Sequence, residues 1–300
     1  MTIAAENIGA GLLTPDFLAK LKQLELVSRK LFAGRMKGER RTRNRGTSVE
    51  FADFRNYVYG DEPRFVDWNT YGRLEKLFLK LFVEEEDLFV YFLVDTSKSM
   101  DFGTPNKLQY ARQVAAALAY VSLLSMDRVS IAGFGTGLSQ KLPPKRGRSQ
   151  AMQVFDFLAA LKSDGPTSLE NAARRFALEA RRSGLVIFIS DFLDKAGYET
   201  ALKQLLHKRC EVYAIHVLSP EEMNPPLAGD LRLVDAEDGQ VVEITVTERL
   251  LRNYRSVMSA YCEQLRAFCI QRGIGYIPAP TNAPFEDLIL HYLKMSGLVR

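Results

Sequence analysis

Residues 88–100 read LFVYFLVDTSKSM, an apolar run that ends at Asp95 and continues through Ser97 and Ser99. A short run that is apolar at every position is typical of a strand buried on both faces of a sheet. Polar side chains at the end of such a strand need partners, because an unpaired buried polar group is costly. The candidate partners are a metal ion, a phosphate, a substrate or the chain itself.

The chain beyond this stretch alternates similar strands with helical patterns. The further strands predicted are RVSIAGFG (128–135), LVIFISD (185–191) and EVYAIHVL (211–218), and the helices are 107–125, 149–162, 168–182 and about 197–208. Apolar strands that alternate with helices form a parallel sheet covered on both faces, with right-handed crossovers. We therefore predict an α/β domain with a mostly parallel sheet flanked by helices at 86–220.

Two flanking segments depart from this alternation. Residues 1–85 hold a helical pattern over 15–33, a basic stretch and a β-rich part with an alternating strand at KLFLKLFVE (76–84). Residues 221–300 hold two alternating runs around Glu-Asp-Gly, which is a hairpin signal, and then a long helix, the short strand IGYI and a final helix. We expect both segments to pack against the α/β domain.

Oxygen-bearing side chains collect at the predicted strand ends. Asp95, Ser97 and Ser99 follow the first strand, Asp191 ends the strand LVIFIS, and Thr167 lies in the loop before the helix at 168–182. Binding sites in open α/β sheets form beyond the carboxyl ends of the strands, so these side chains are expected to meet. Hard oxygen donors with few charges and no clustered His or Cys favour Mg²⁺ or Mn²⁺.

This D-x-S-x-S stretch, with a later Thr and a later strand-end Asp, resembles the metal-ion-dependent adhesion site of von Willebrand factor A domains. The resemblance implies that Asp95, Ser97, Ser99, Thr167 and Asp191 form the ion site, some of them acting through water. It also implies that one metal position stays open for an acidic residue of a partner protein. The order and spacing of the five residues match that family over 88–220.

Two further stretches of sequence indicate a more specific family. GTSVEFADFRNYVYGDEPRFVDWNTYGR (46–73) and LVDAEDGQVVEITV (233–246) are similar to the bacterial domain-of-unknown-function family number fifty-eight. Its members often accompany MoxR-type AAA+ ATPases, so the resemblance implies such an ATPase, or its client, as a partner. We therefore expect a non-catalytic, Mg²⁺-dependent protein-binding adaptor.

The residues alone also allow other interpretations of the site. Asp95 and the serines could cap the helix at 107–125 instead of binding an ion. Haloacid-dehalogenase phosphatases also place an aspartate nucleophile after a first strand, but their acid/base aspartate would stand at Ser97. A Mg²⁺-dependent phosphohydrolase is therefore the alternative function. GFGTG (133–137) lacks the third Gly of a dinucleotide loop and is interpreted as a tight turn.

Positive charge is concentrated near the N-terminus. Residues 28–46 carry eight Lys or Arg and one Glu, whereas the whole chain is only +4. Residues 35–45 could bind a phosphate backbone weakly, but they lack interleaved aromatic residues, so nucleic acid is not the expected partner. KLPPKRGR (141–148) is interpreted as a second basic loop.

A charged cluster around the single Trp precedes the α/β domain. It comprises Asp61, Arg64, Asp67, Trp68 and Arg73. A structural ion-pair cluster is the first interpretation of these residues, and a surface that binds a partner protein is the second.

Composition predicts a cytoplasmic location. The three cysteines form no C-x-x-C pair, which favours reduced core thiols over a disulfide framework. The first residues lack a basic segment followed by an apolar one, so no secretory signal is expected. The longest apolar run, AAALAYVSLLSM (115–126), is much shorter than the roughly 20 residues of a membrane span.

Overall fold

The computed structural model of the chain describes residues 12–14, 16–19, 21, 49–59, 61, 63–84, 88–237 and 239–293. These belong to two compact units. The larger unit comprises Met1–Met36 and Leu88–Arg300, and the smaller unit comprises Lys37–Asp87. The basic stretch at 35–45 lies outside the described residues.

The smaller unit is an antiparallel strand pair with one short helix. Strand β1 (Val49–Asn56) pairs with β2 (Phe78–Glu84), and helix α1 (Trp68–Leu74) lies between them in sequence. β2 confirms the strand predicted at 76–84. Asp67 begins α1 because its carboxylate accepts a hydrogen bond from the backbone N–H of Asn69 at 3.1 Å, which satisfies one free N–H of the first helical turn.

Besides the helical residues 16–19 and 21, the larger unit contains eight strands and seven further α-helices within the described residues. The strands are β3 (Phe89–Asp95), β4 (Arg128–Phe134), β5 (Leu138–Arg146), β6 (Leu185–Ser190), β7 (Glu211–Leu218), β8 (Gly229–Val234), β9 (Val241–Val246) and β10 (Gly275–Pro280). The helices are α2 (Lys107–Leu124), α3 (Ala151–Ala160), α4 (Leu169–Glu179), α5 (Glu199–His207), α6 (Pro220–Met223), α7 (Glu248–Gln271) and α8 (Phe285–Leu293).

Six of these strands form the central sheet in the order β10-β7-β6-β3-β4-β5. All neighbours are parallel except β4 and β5. β3 and β6 lie at the centre and are buried along nearly their whole lengths, as their apolar sequences predict. The predicted mostly parallel, helix-flanked sheet is confirmed.

Alternation along β3 divides the core into two layers. Val90, Phe92 and Val94 pack in one apolar cluster with α2, whereas Tyr91 and Leu93 pack in a second cluster with α4 and α5. Successive side chains of a strand point to opposite faces, so a strand covered by helices on both sides is apolar at every position. This packing holds the carboxyl end of β3, and with it Asp95, at a fixed place.

The two edges of the sheet differ from the sequence interpretation. Residues 141–148 were expected to be a basic loop, but most of them belong to β5, the antiparallel edge strand. The β4–β5 register shifts around Pro143 and Pro144, and an edge strand tolerates prolines because its outer N–H groups need no partner. At the opposite edge β10 pairs with β7, so the central sheet extends beyond residue 220.

The β8–β9 hairpin confirms the pattern predicted around Glu-Asp-Gly. The two strands pair with each other from Gly229↔Val246 to Val234↔Val241 and with no other strand of the described residues. Most of their side chains are exposed, and α7 buries only Met258, Leu265 and Cys269. The hairpin is therefore attached to the larger unit by few apolar contacts.

No helix among the described residues is both long enough and apolar enough to cross a membrane.

The aromatic layer beneath the sheet supplies a test of the fold. Phe188 is fully buried, and its ring lies 4.9 Å from that of Phe134 and 5.6 Å from that of Phe192. Phe188→Ala should lower the free energy of unfolding by about 3–5 kcal/mol, because it leaves a cavity in the core. Leu178→Ala, at a position that is 80% exposed, is the control and should change it by less than about 0.5 kcal/mol. Equal losses in urea titrations would contradict this packing.

Candidate metal centre

The loop after β3 folds back on the Asp95 carboxylate. Asp95 is fully buried, and its Oδ1 accepts hydrogen bonds from the backbone N–H of Ser97 at 3.0 Å and from the Ser97 hydroxyl at 2.7 Å. The Ser97 and Ser99 hydroxyl oxygens lie 2.9 Å apart. A single turn of 3₁₀ helix, Lys98–Met100, produces this curvature. The D-x-S-x-S spacing therefore places three oxygen donors around one point.

Backbone hydrogen bonds bring the Thr167 loop to the same point. Asp164 N–H donates to the Thr96 carbonyl at 2.8 Å, and Lys98 N–H donates to the Gly165 carbonyl at 2.9 Å. The Thr167 hydroxyl then lies 3.4 Å from Asp95 Oδ2, a long hydrogen bond. Four of the five predicted ligands thus form one connected cluster.

Asp191 lies near this cluster, but its carboxylate has other partners. Its Oδ2 lies 2.7 Å from the Lys107 ammonium nitrogen, and its Oδ1 accepts a hydrogen bond from Leu193 N–H at 3.1 Å. Lys107 also contacts Glu222 at 2.5 Å and is completely buried. The structure therefore places Asp191 in an ion-pair network beside the hydroxyl cluster.

Burial and neighbouring charges shift the pKa values of Asp95 and Lys107. Burial is the main cause that raises the pKa of Asp95 to about 7, and the neighbouring Asp191 charge raises it further, against hydrogen bonds from Ser190 and Ser97. Burial alone lowers the pKa of Lys107, but Asp191 and Glu222 outweigh it, so the pKa is raised above its ordinary value. Lys107 thus stays charged beside Asp191. The Asp95 carboxylate instead accepts from hydroxyls and one backbone N–H and has no cationic partner among the described residues.

The donor set fits a small hard cation. Asp95, Ser97, Ser99 and Thr167 offer only oxygen, and a cation would offset the buried negative charge that raises the pKa of Asp95. No group of three or more His, Cys, Asp or Glu side chains suited to a metal occurs among the described residues, so a zinc-type cage is not present there. The chemistry of these oxygen donors fits Mg²⁺ or Mn²⁺ better than a soft metal.

Sequence reasoning missed three residues at this site. The Ser190 hydroxyl donates to Asp95 Oδ2 at 2.7 Å, and Lys107 and Glu222 complete the ion pairs of Asp191. Lys107 had a signal in the sequence. It is a cation in the first turn of α2, where the helix dipole disfavours positive charge. Glu222 had none, because the contact joins residues 115 positions apart.

The cluster predicted around Trp68 lies in the smaller unit. The carboxylates of Asp61 and Asp67 accept hydrogen bonds from the backbone N–H groups of Val58 and Asn69, at 2.9 and 3.1 Å. Trp68 is 61% exposed. Arg64 and Arg73 are exposed as well. The ion-pair cluster and the surface that binds a partner protein both stay predictions for these residues.

Comparison with known proteins assigns the chain to a family. The family described as "Protein of unknown function DUF58" matches residues 53–263, which include the smaller unit's α1, the site and the β8–β9 hairpin. The chain belongs to the DUF58 family. This DUF58 protein is 27% identical over 256 residues to an uncharacterized protein of Mycobacterium tuberculosis, covering 82% of this chain and 79% of that protein.

Solved structures also align with this DUF58 protein. One is the conserved hypothetical protein BatB from Bacteroides thetaiotaomicron, with 19% identity, a TM-score of 0.47, and coverage of 70% of this chain and 98% of that one. Another is proximal thread matrix protein 1 from the mussel byssus, described with a zinc-occupied MIDAS motif. It has 13% identity, a TM-score of 0.38, and coverage of 70% of this chain and 47% of that one.

The buried Lys107 gives a test of the ion-pair network. Lys107→Met should lower the free energy of unfolding by about 3–5 kcal/mol, because it leaves Asp191 and Glu222 without their shared cation. The exposed Lys98→Met is the control and should cost less than about 0.5 kcal/mol. Urea titrations measure both.

A double variant separates charge from packing. Combining Lys107→Met with Asp191→Asn should cost less than the sum of the single losses, because the two changes affect one contact. Losses that simply add, or a Lys107→Met loss no larger than that of the control, would contradict the network.

Proposed function

We propose that this DUF58 protein is a non-catalytic adaptor that binds a protein partner through a divalent cation held at the end of β3. Asp95, Ser97, Ser99 and Thr167 are the residues that would hold Mg²⁺ or Mn²⁺. Asp191 supports them from the adjacent ion-pair network. When bound, the cation would supply an electrophilic position that accepts a carboxylate from the partner.

The convergence of three hydroxyl side chains, Ser97, Ser99 and Thr167, on the buried Asp95 carboxylate is the observation that supports this proposal. These side chains come from two loops that are far apart in sequence, and backbone hydrogen bonds hold the loops together. If Asp95 and the serines only capped α2, the Thr167 loop would not need to contact them. The residue that caps α2 is in fact Asn106, whose side chain accepts a hydrogen bond from Gln109 N–H.

The ligand set explains why an acidic partner is expected. Ser97, Ser99 and Thr167 are neutral, and Asp191 shares the Lys107 cation with Glu222. Asp95 is the single carboxylate of the cluster that would contact the cation, so a further carboxylate is electrostatically favourable. The partner's Asp or Glu then provides a directional contact that depends on the ion.

Family membership supports the identity of the proposed partner. The resemblance to this family implies a MoxR-type AAA+ ATPase, so the ATPase or its client is the partner that we propose. This proposal does not involve the basic stretch at 35–45.

Catalysis is not part of the proposed function. Position 97, where a phosphatase of the haloacid-dehalogenase type needs its acid/base carboxylate, holds a serine that donates to Asp95. The Lys107 ammonium is held by two carboxylates. Hydrolysis of generic phosphate esters that depends on Mg²⁺ and disappears with Asp95→Asn would instead support the alternative, a phosphohydrolase.

Removing Asp95 tests the cation. Asp95→Ala should abolish Mg²⁺ and Mn²⁺ binding in calorimetric titrations, because it removes the carboxylate at the centre of the cluster. Asp156→Ala, at an exposed position on α3, is the control and should bind the ions as the natural chain does. Circular dichroism checks that both variants are folded. Unchanged metal affinity in a folded Asp95→Ala protein would contradict the site.

Removing the ion tests the adaptor role. Capture of a purified MoxR-type ATPase from the same organism should weaken on adding EDTA and recover with excess Mg²⁺. Thr167→Ala should weaken capture severalfold, whereas the exposed Thr136→Ala should not. Capture that is strong in EDTA and indifferent to Thr167→Ala would show that binding lies elsewhere, and the surface around Trp68 would then be tested.

A further inference from the structure

An acidic side chain of the chain itself reaches the candidate metal centre. Glu237 lies in the turn that connects β8 and β9, and its Oε2 accepts a hydrogen bond from Thr167 N–H at 3.2 Å. The Thr167 hydroxyl is part of the oxygen cluster around Asp95. The hairpin therefore brings a carboxylate to Thr167. The proposed carboxylate of a partner would bind next to the same residue.

Internal hydrogen bonds build the turn that presents Glu237. The Asp235 carboxylate accepts from Glu237 N–H at 2.8 Å, and Asp235 N–H donates to the Gln240 carbonyl at 2.8 Å. Gly239, at φ +73°, donates its N–H to the Asp235 carbonyl at 3.0 Å. A left-handed residue is needed to close this turn, and Gly adopts that conformation without strain. The direction of Glu237 is thus set by its own turn.

A second contact fastens the same turn to the loop after Asp191. The Asp235 carboxylate lies 2.9 Å from the Lys195 ammonium, two residues after Leu193, whose N–H binds Asp191. The turn therefore contacts both loops that border the metal centre, one through Glu237 and the other through Asp235.

The strands of the hairpin contribute little to holding it there. Val234 is 62% exposed and Val242 is 55% exposed, and of the two strands only Val246 is buried. A two-stranded hairpin is marginally stable without an apolar face that packs on a core. The polar contacts of the turn are therefore the main attachment of its tip, and such weakly packed elements open at low cost.

We propose that Glu237 is an intramolecular ligand of the candidate metal centre, so that the β8–β9 hairpin closes the site and an acidic partner binds in competition with it. This inference rests on the proposed function, because it requires the cation.

The charges of the site explain why the chain would supply this carboxylate. Asp191 is paired with Lys107, and the side chains that donate to Asp95 are hydroxyls. Glu237 has no cationic partner within the part of the chain that the structure describes, and its carboxylate accepts a hydrogen bond from a neutral backbone N–H. A carboxylate in that position can shift from the Thr167 N–H to a bound cation and gain a stronger, charge-assisted contact. The hairpin would then be held more firmly when the ion is present.

Calorimetry with MgCl₂ and MnCl₂ on the full chain tests the ligand role. Glu237→Gln keeps the size of the side chain and removes its charge, and it should weaken ion binding about tenfold, as loss of a group that supports a metal does. Glu243→Gln, on an exposed position of β9 in the same hairpin, is the matched control and should bind as the natural chain does.

Rescue by acetate tests whether Glu237 fills the open position. In Glu237→Ala, excess sodium acetate at constant ionic strength should tighten Mn²⁺ binding severalfold, because a free carboxylate can take the place of the missing one. In the natural chain and in Glu243→Ala, the same acetate should have little effect, because the position is already filled.

The outcomes separate this inference from the proposed function. Absence of Mg²⁺ and Mn²⁺ binding to the natural chain would overturn both. Ion binding that is lost in Asp95→Ala but is unchanged in Glu237→Gln would overturn only the role of Glu237. Acetate that tightens binding equally in the natural chain and in Glu237→Ala would also overturn it, because the position would then be open in both.

Discussion

The buried carboxylate of Asp95 is the constraint on which the rest of the site depends. A carboxylate without exposure to water is costly unless hydrogen bonds and opposite charge compensate it. Strand pairing provides one of these hydrogen bonds, because β6 pairs in parallel with β3 and ends at Ser190. The Ser190 hydroxyl donates to the Asp95 carboxylate. The loop carrying Ser97 and the loop carrying Thr167 supply the other donors. The apolar sandwich around β3 fixes the carboxylate, and the loops assemble around it.

A second buried charge network lets two aspartates share one edge of the sheet. Lys107, fully buried, lies between Asp191 and Glu222 and offsets part of the negative charge next to Asp95. This arrangement leaves the hydroxyl cluster, rather than Asp191, as the direct surroundings of Asp95. It also explains the chemistry that we propose, since a cation bound there would meet one carboxylate and neutral oxygens and would attract another carboxylate. The hairpin turn places Glu237 where such a group is needed.

The sequence predicted the parts of the structure that depend on local pattern. Continuous apolar strands such as β3 and β6 are recognisable because burial on both faces removes polar positions. The D-x-S-x-S spacing predicted the local fold of the loop after β3, because residues two and four positions after a strand end can curl back toward it. The hairpin was predicted for the same reason, from alternation on both sides of a turn sequence.

Contacts between distant segments were not predictable from these patterns. The edge strand β5 was hidden because its two prolines and its basic residues are typical of a loop, and only pairing with β4 makes it a strand. Lys107 and Glu222 act through contacts between residues far apart in sequence, and Glu237 reaches Thr167 across 70 positions. Such contacts depend on the tertiary fold, and the short-range periodicity of the sequence does not predict them.

The central claim is that the oxygen cluster around Asp95 binds a divalent cation. Anomalous diffraction from crystals of the full chain grown with MnCl₂ tests it most directly, because it locates the ion without assuming its ligands. The account predicts a manganese peak bordered by Asp95, Ser97, Ser99 and Thr167, at about 2.0–2.3 Å from the oxygens that bind it directly. A peak at any other place, or none at saturating Mn²⁺, would contradict the account.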